Sequence, residues 1–261
     1  MMKVAFLGCT KYSEELLRSI TEDNSCEVSV IFGIPKKFKI NYSQEPVINS
    51  NYADLSVFAN KLDVPFYLID SEKGNRINDY KSLLSELKVD VILVMGWYYM
   101  VPDSIRSLAK YGAWGIHASL LPNYAGGAPL VWAIIEGQEK SGVTLFKLDN
   151  GVDDGDIIKQ AEFKIDKLDN ITSVYDKATR LSKKILKEAL NLGSENEFKP
   201  QDKEKLKIYP QRNPEDGEIN LEWDSERIYN FVRAQSSPYP GAFIRTVDGK
   251  KIVIEKARIV D

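Results

Sequence analysis

The chain has 261 residues, of which 43% are hydrophobic and 28% are charged, and its formal net charge is −3 at pH 7. This length suits one large α/β domain, alone or with a small appendage. The slight acidity supplies no global positive field that would draw nucleic acid or anionic lipid. No apolar stretch approaches the roughly 18 residues of a membrane span, so we expect a cytoplasmic protein with no membrane partner.

The N-terminal residues predict a βαβ unit. Lys3–Gly8 is a continuous apolar run, typical of a strand buried on both faces, and Glu27–Phe32 is the next strand. Between them, Ser13–Glu22 has helical spacing of leucine and isoleucine, with Ser13 as the expected N-cap. The Gly8-Cys9-Thr10 turn lacks the spaced glycines of a dinucleotide fingerprint, which argues against a nicotinamide site.

The two cysteines carry no sign of metal or redox chemistry. Cys9 is expected on the first strand and Cys26 at the start of the second, and their spacing matches neither type of motif. We expect both side chains to pack as small hydrophobes in a reducing compartment.

Strands and helices continue to alternate further along the chain. We predict strands over Pro65–Ile69, Val89–Val94, Ala113–Ile116, Val143–Leu148 and Ile157–Ile165. We predict helices over Ala53–Leu62, Arg76–Leu87, Pro102–Lys110, Ala128–Glu136 and Thr172–Leu192. This order predicts an α/β fold with a Rossmann-like, mostly parallel sheet and helices on both faces. The aperiodic Gly33–Asn51 is expected to be a surface loop, either facing a substrate or only solvated.

The C-terminal part has a different composition. Residues 198–214 are charged and broken by prolines, which predicts a linker between a catalytic domain, 1–197, and a small subdomain, 215–261. That subdomain is expected to contain a helix over Ser225–Ala234 and a hairpin of Ala242–Val247 and Lys251–Ile259 around Asp248-Gly249. An exposed hairpin of this kind could serve a homodimer.

His117 is the only histidine in the chain, so proton transfer by imidazole at neutral pH would depend on it. It is followed by Ser119-Leu120-Leu121-Pro122 and then by a loop whose adjacent glycines, Gly126 and Gly127, can bring backbone close to a ligand. By type and position alone, such a histidine is more often a packed structural residue than a catalyst.

A second stretch, Gly142–Ile158, carries a β-branched run into a turn rich in glycine and aspartate. Such a turn can present a carboxylate to an imidazole on a neighbouring strand. Turn formation and solvation are the favoured roles for Asp149, Asp154 and Asp156. No histidine or glutamate lies nearby in sequence to complete a transition-metal site, so we predict no metal.

Together the two stretches resemble the folate-dependent formyltransferase family, whose pattern is Asn-x-His, Ser-Leu-Leu-Pro, a Gly-Val-Thr strand and Asp-x-Gly-Asp. The resemblance continues to Tyr209-Pro210-Gln211-Arg212 and beyond. It implies formyl transfer from N10-formyltetrahydrofolate to a primary amine through a tetrahedral intermediate. It also implies that His117 handles the proton and that Asp153, the first aspartate of the last motif, orients or stabilises the imidazolium.

The resemblance also implies where the folate binds. Met95–Pro102 is an aromatic, uncharged segment after a buried strand, a place where ligands of α/β sheets collect, although core packing explains its aromatics equally well. In the family the matching segment lines the pterin pocket. We expect the folate to contact the following residues: Tyr99, Met100, Val101, Gly127, Asp149, Asn150, Gly151 and Val152.

The chain departs from the family pattern at two positions. Gly115 stands where the family has the asparagine that donates to the oxyanion, and Ala125 stands where many members have arginine. Losing an oxyanion donor typically lowers a rate by about 10²–10³. Three explanations compete: backbone N–H groups or another amide (Asn123 or Asn150) substitute, the enzyme is slow, or the protein is a binding relic. Without the arginine, phosphate recognition is unassigned, and the basic run Lys36–Lys39 is one candidate.

We therefore expect a small-molecule acceptor, the primary amine of a nucleotide-linked amino sugar. The alternative enzyme is one that formylates methionyl-tRNA; the small C-terminal unit and the slight acidity make it the less favoured. The non-enzymatic alternative is a catalytically weak folate- or nucleotide-binding protein, which Gly115 would explain.

Overall fold

The computed structural model describes residues 1–40 and 45–260. Its strands are β1 Met2–Leu7, β2 Cys26–Gly33, β3 Lys37–Phe38, β4 Val47–Ile48, β5 Phe66–Leu68, β6 Val91–Val94, β7 Ala113–His117, β8 Ala125–Gly126, β9 Lys140–Lys147, β10 Ile157–Lys164, β11 Ile208–Tyr209, β12 Ala242–Arg245 and β13 Lys251–Ile254. Its α-helices are α1 Lys11–Glu22, α2 Ser56–Leu62, α3 Lys81–Leu87, α4 Asp103–Arg106, α5 Pro129–Ile135, α6 Ile171–Leu192 and α7 Ser225–Ala234.

A seven-stranded sheet in the order β10-β9-β7-β6-β1-β2-β5 forms the centre of the molecule. The strands from β7 to β5 run parallel, and β9 and β10 add antiparallel pairs at one side. Along β1, Val4 and Phe6 pack with residues of α1, α2, α5 and α6, whereas Ala5 and Leu7 pack with residues of α3 and α4. Both faces are thus covered by helices, which confirms the predicted α/β fold with a mostly parallel sheet.

The start of α1 differs from the prediction. Thr10 is the N-cap and its hydroxyl accepts from the backbone N–H of Ser13, while Ser13 is the third helical residue of a capping box. Ser13 is fully buried, and its hydroxyl also donates to the carbonyl of Met95 at the end of β6. The prediction of Ser13 as N-cap was wrong because this hydroxyl ties the helix to the sheet. Cys9 lies after β1 rather than on it, and both cysteines are buried.

Most of the other predicted elements are present with boundaries moved by a few residues. The helix predicted over Arg76–Leu87 is divided into a 3₁₀ turn, Ile77–Tyr80, and α3. The predicted Pro102–Lys110 is a helix only over α4, with Pro102 as its N-cap residue. The hairpin strands β12 and β13 are both shorter than predicted.

The segment Gly33–Asn51 is not only a surface loop. Residues 41–44 of it lie outside the described residues, but β3 and β4 pair with each other and Phe38 is fully buried. The Phe38 ring packs on Tyr98 and Tyr99, with ring centroids 4.9 and 5.7 Å apart. This aromatic contact explains why part of an aperiodic segment is fixed against the body of the protein.

Residues 198–214 pack closely on the sheet domain. The ring of Phe198 contacts Trp114, Lys199 and Ile157 exchange two backbone hydrogen bonds, and β11 pairs in parallel with β8. Beyond them, α7 and the β12–β13 hairpin enclose a small apolar cluster that includes Ile219, Phe231, Val232 and Ala242. Within residues 1–40 and 45–260, no helix has the length and apolar character needed to cross a membrane.

Candidate active site

His117 lies at the last position of β7 with 9% of its surface exposed. Its Nε2 is 2.7 Å from the carbonyl oxygen of Tyr124, and its Nδ1 is 3.4 Å from Oδ2 of Asp153. Because a carbonyl oxygen can only accept, Nε2 carries a proton in this arrangement. Nδ1 is then the atom that can take up a second proton beside a carboxylate.

Asp153 belongs to the turn that joins β9 to β10. Its Oδ2 also accepts a hydrogen bond of 2.8 Å from the backbone N–H of Gly126. The glycine of the Asp-x-Gly-Asp motif has a steric reason, since a Cβ on Gly155 would lie 1.8 Å from the carbonyl oxygen of Lys147. Only glycine lets this turn fold back onto the end of β9 and present Asp153 to the imidazole.

Several residues near the His117 imidazole have strained backbone conformations. Three residues other than glycine have left-handed backbone angles here: Tyr124 with φ 55°, Ala128 with φ 48° and Asp153 with φ 52°. Such conformations cost about 1–3 kcal/mol each and persist where surrounding structure enforces them, commonly at functional sites.

A cavity of about 380 Å³ opens beside His117. It lies between α5, Tyr175 of α6, and two C-terminal segments, residues 211–214 and 235–241. Arg212 is the basic residue of this lining, and no carboxylate belongs to it within the described residues. The guanidinium of Arg212 donates to Gln235 Oε1 at 3.0 Å and lies 4.8 Å from the centre of the Trp132 ring. Burial lowers the pKa of Arg212 from its usual value.

Gly115 is buried in β7, two residues before His117. A Cβ at this position would lie 2.9 Å from Cδ2 of Leu148 and 3.5 Å from the Phe146 ring. The leucine therefore fills the space into which a side chain at 115 would extend. Of the two amides considered as substitutes, Asn123 is exposed, and Asn150 accepts through Oδ1 from Arg106 Nη2 at 2.6 Å.

The residues expected to contact folate fall into different environments. Val101 is buried in the core beneath the sheet, Tyr99 packs on Trp97 and Phe38, and Met100 is 82% exposed. Asp149, Asn150, Gly151 and Val152 form an exposed turn. Through Asn150 this turn contacts Arg106, a buried guanidinium whose Nε has no hydrogen-bond partner in the described structure.

The remaining expectations concern Gly127, Ala125 and the basic run. Gly127 donates to the carbonyl of Tyr209, and a Cβ there would lie 2.5 Å from backbone atoms of Gln211, so close chain packing accounts for this glycine. Ala125 is fully buried in an apolar cluster with Leu121 and Phe146. Lys39 pairs with Glu72 on the surface at 3.6 Å.

Comparison with known proteins decides the family. A family model for formyl transferases matches residues 2–190, and a model for the formyl transferase C-terminal domain matches residues 212–261. The chain belongs to the formyl transferase family. Members of the family are folate-dependent, so this chain is an enzyme of one-carbon group transfer, as the sequence predicted.

Several relatives of this formyl transferase are known. It is 32% identical to a methionyl-tRNA formyltransferase of Staphylococcus aureus over 264 residues, covering 100% of this chain and 81% of the relative. A sugar N-formyltransferase from Shewanella superposes over 100% of both chains, with a TM-score of 0.72 at 20% identity. A Helicobacter canadensis N-formyltransferase, in complex with folinic acid and dTDP-3-aminofucose, superposes with a TM-score of 0.67 at 20% identity, covering 90% and 80% of the two chains. At this identity the solved structures show a shared fold.

Sequence reasoning missed part of the candidate site. It placed Gln201, Gln211 and Arg212 in or beside a linker, yet Gln201 contacts the turn of Asp153, and the other two line the cavity beside His117. The Tyr209–Arg212 motif of the family resemblance was the available signal for the latter pair. Within the described residues, no group of three or more histidine, cysteine, aspartate or glutamate side chains is arranged to hold a metal ion.

Proposed function

We propose that this formyl transferase transfers the formyl group of N10-formyltetrahydrofolate to the primary amine of a nucleotide-linked amino sugar. The observation that carries the proposal is the cavity beside His117, which is lined by Arg212 and by no carboxylate of the described residues. Such a lining suits an acceptor that is itself an anion, and a single cavity of this size suits a small molecule.

His117 and Asp153 would move the proton of the acceptor amine. When the amine attacks the formyl carbon, the proton it releases is taken up by the imidazole at Nδ1. The 3.4 Å contact with Asp153 then becomes a charge-assisted hydrogen bond, while Nε2–H keeps its bond to Tyr124. The imidazolium has an acceptor at each nitrogen, which stabilises it until it returns the proton to the departing folate nitrogen.

The folate would lie between the segment that follows β6 and the turn that follows β9. Tyr99, Met100 and Val101 follow the first of these strands, and the turn from Asp149 to Val152 follows the second. Arg106 would contribute a buried donor between them, because its Nε has no hydrogen-bond partner within the described residues. Its Nη2 donates to Asn150 Oδ1 at 2.6 Å and lies 3.8 Å from Asp103 Oδ1. Folinic acid in the Helicobacter canadensis relative supports a folate as formyl donor.

Methionyl-tRNA is the second candidate acceptor, and the 32% identity to the Staphylococcus aureus methionyl-tRNA formyltransferase favours it. Against it stands the net charge of −3, since binding to tRNA phosphates needs clustered positive charge. The two acceptors can be compared directly in one assay.

The test is formyl transfer from N10-formyltetrahydrofolate to a panel of dTDP-, UDP- and GDP-linked amino sugars and, in parallel, to methionyl-tRNA. We expect turnover with one nucleotide class and none with the tRNA. His117→Asn should abolish turnover while the Kd for 5-formyltetrahydrofolate stays within about tenfold, or roughly 1.4 kcal/mol. Turnover with methionyl-tRNA alone would overturn the proposed acceptor. Binding of the folate or of a nucleotide sugar, without turnover on either acceptor, would instead support a catalytically weak binding protein.

A further inference from the structure

Gln201 lies between the two regions that the family models match, and its side chain is buried with 8% of the residue exposed. Its Nε2 donates two hydrogen bonds of 2.7 Å, to the carbonyl oxygens of Asp153 and Gly155. Its Oε1 has no partner within the described structure. The environment of Gln201 therefore uses the two N–H donors of the amide and makes no use of its acceptor.

The residues around Gln201 pack along the turn 153–157, which contains Asp153. Lys199 and Ile157 exchange backbone hydrogen bonds of 2.8 Å in both directions. Further along, Nζ of Lys203 lies 2.9 Å from Oδ2 of Asp154. The segment 199–203 thus contacts the turn 153–157 at Ile157 and Asp154 and, through Gln201, at Asp153 and Gly155.

The contact made by Gln201 is the one that bears on the imidazole of His117, because it involves Asp153. Asp153 has a left-handed backbone conformation, φ 52°, and its carboxylate must meet both the Gly126 N–H and Nδ1 of His117. Such a conformation persists where the surrounding structure enforces it. The Gln201 amide contributes to this by donating to the carbonyls of Asp153 and Gly155, one on each side of Asp154. Without these donors the buried carbonyl of Gly155 and the partly buried carbonyl of Asp153 would also lose Gln201 as their partner.

We propose that Gln201 is a positioning residue of this formyl transferase, which holds the Asp153 turn so that the carboxylate faces His117. The proposal rests on the roles proposed above for His117 and Asp153. It predicts that Gln201 affects the state of the imidazole and the rate of transfer more than the binding of either substrate.

The experiment uses the only histidine of the chain as a reporter. In protein produced without a histidine tag, the imidazole ¹⁵N and ¹H NMR signals come from His117 alone. Gln201→Met keeps the length and removes both donors; Gln201→Glu keeps the shape and, when ionised, sets a negative charge against the two carbonyls. Gln138→Met, at an exposed position, is the matched control.

We expect both Gln201 variants to shift the Nδ1 and Nε2 signals and to lower kcat by about tenfold or more, with KM for both substrates within about threefold. The Gln201→Glu variant should regain part of its kcat, relative to the original enzyme, as pH falls and its carboxyl becomes a donor. Gln138→Met should change neither signals nor rate. If Gln201→Met does not fold, the His117 imidazole signals of Gln201→Glu alone test the proposal.

Unchanged imidazole signals in a folded Gln201 variant would overturn the proposal, whatever the loss of stability. So would an increase of KM without a decrease of kcat. The NMR readout needs no acceptor, so a wrong acceptor in the proposed function would leave this test intact.

Discussion

Gly115 and Leu148 are best understood as a pair. The space that a side chain at 115 would need is occupied by one methyl group of Leu148, whose Cδ2 lies 2.9 Å from the ideal Cβ position. Position 115 is where the family resemblance places an asparagine, and in this chain the apolar side chain of Leu148 fills the space beside it. Introducing an amide at 115 would overpack this part of the sheet.

We expect Gly115→Asn alone to lower the free energy of unfolding by about 1–3 kcal/mol and to leave kcat unchanged or reduced. Leu148→Ala makes room for the amide, so adding it to Gly115→Asn should recover most of the lost free energy of unfolding. Urea unfolding of the two single variants and the double variant measures the coupling, which should exceed about 0.5 kcal/mol.

The same variants test how the oxyanion is stabilised. If kcat of Gly115→Asn with Leu148→Ala exceeds that of Leu148→Ala by about tenfold or more, the amide is a missing donor. An equal kcat would show that the site already has another donor. Strict additivity of the unfolding free energies would contradict the pairing of the two positions.

At the scale of elements, regular structure was more predictable than the site. Apolar runs such as Val89–Val94 and the periodicity of α6 depend on local sequence, so their strands and helices were predicted to within a few residues. The turn of Asp153 was located through its motif. The hydrogen bond from Gln201 to this turn was not predicted. A charged, proline-containing segment has the composition of a linker whether or not it packs on the rest of the protein.

The beginning of α6 is held by a cluster of charges that predicts acid sensitivity. Burial opposes ionisation of Asp169, but hydrogen bonds from Lys177, the Asp166 N–H and Ser173 outweigh it and place its pKa below the usual 3.8. A carboxyl with a lowered pKa stabilises the fold above its unfolded-state pKa, and this contribution disappears as pH falls through the folded-state value.

Asp169→Asn should therefore lower the free energy of unfolding at pH 7 by about 1–3 kcal/mol, since it weakens hydrogen bonds to a charged group. The difference from the original protein should shrink as pH falls below about 4, where Asp169 itself becomes protonated. Urea unfolding between pH 3 and pH 7 measures it. Asp176→Asn, exposed on the same helix, is the control. A difference independent of pH would contradict the assignment to this carboxylate.

For the whole molecule, the two parts of the chain meet at the cavity beside His117. Residues 211–214 and 235–241 close a cavity that otherwise opens beside His117 and α5. Arg212 joins these parts, because its guanidinium bonds Gln235 of the α7 end and lies over Trp132 of α5. If the cavity binds the acceptor as proposed, the C-terminal unit takes part in acceptor recognition directly, while the overall charge of −3 gives no general attraction for polyanions.

This charge distribution predicts how activity depends on salt. The proposed nucleotide-linked acceptor has few phosphates, so kcat/KM should fall by less than about fivefold between 50 and 200 mM KCl, whereas a protein that contacts 6–10 nucleic-acid phosphates loses about 10³–10⁵ in affinity. The measurement is kcat/KM for the acceptor across this series, with the KM for the folate as the internal control. Lys36→Gln with Lys37→Gln should leave the salt dependence unchanged if the basic run does not bind the acceptor. A steep dependence that these substitutions flatten would instead show that the enzyme recognises an extended polyanion such as tRNA.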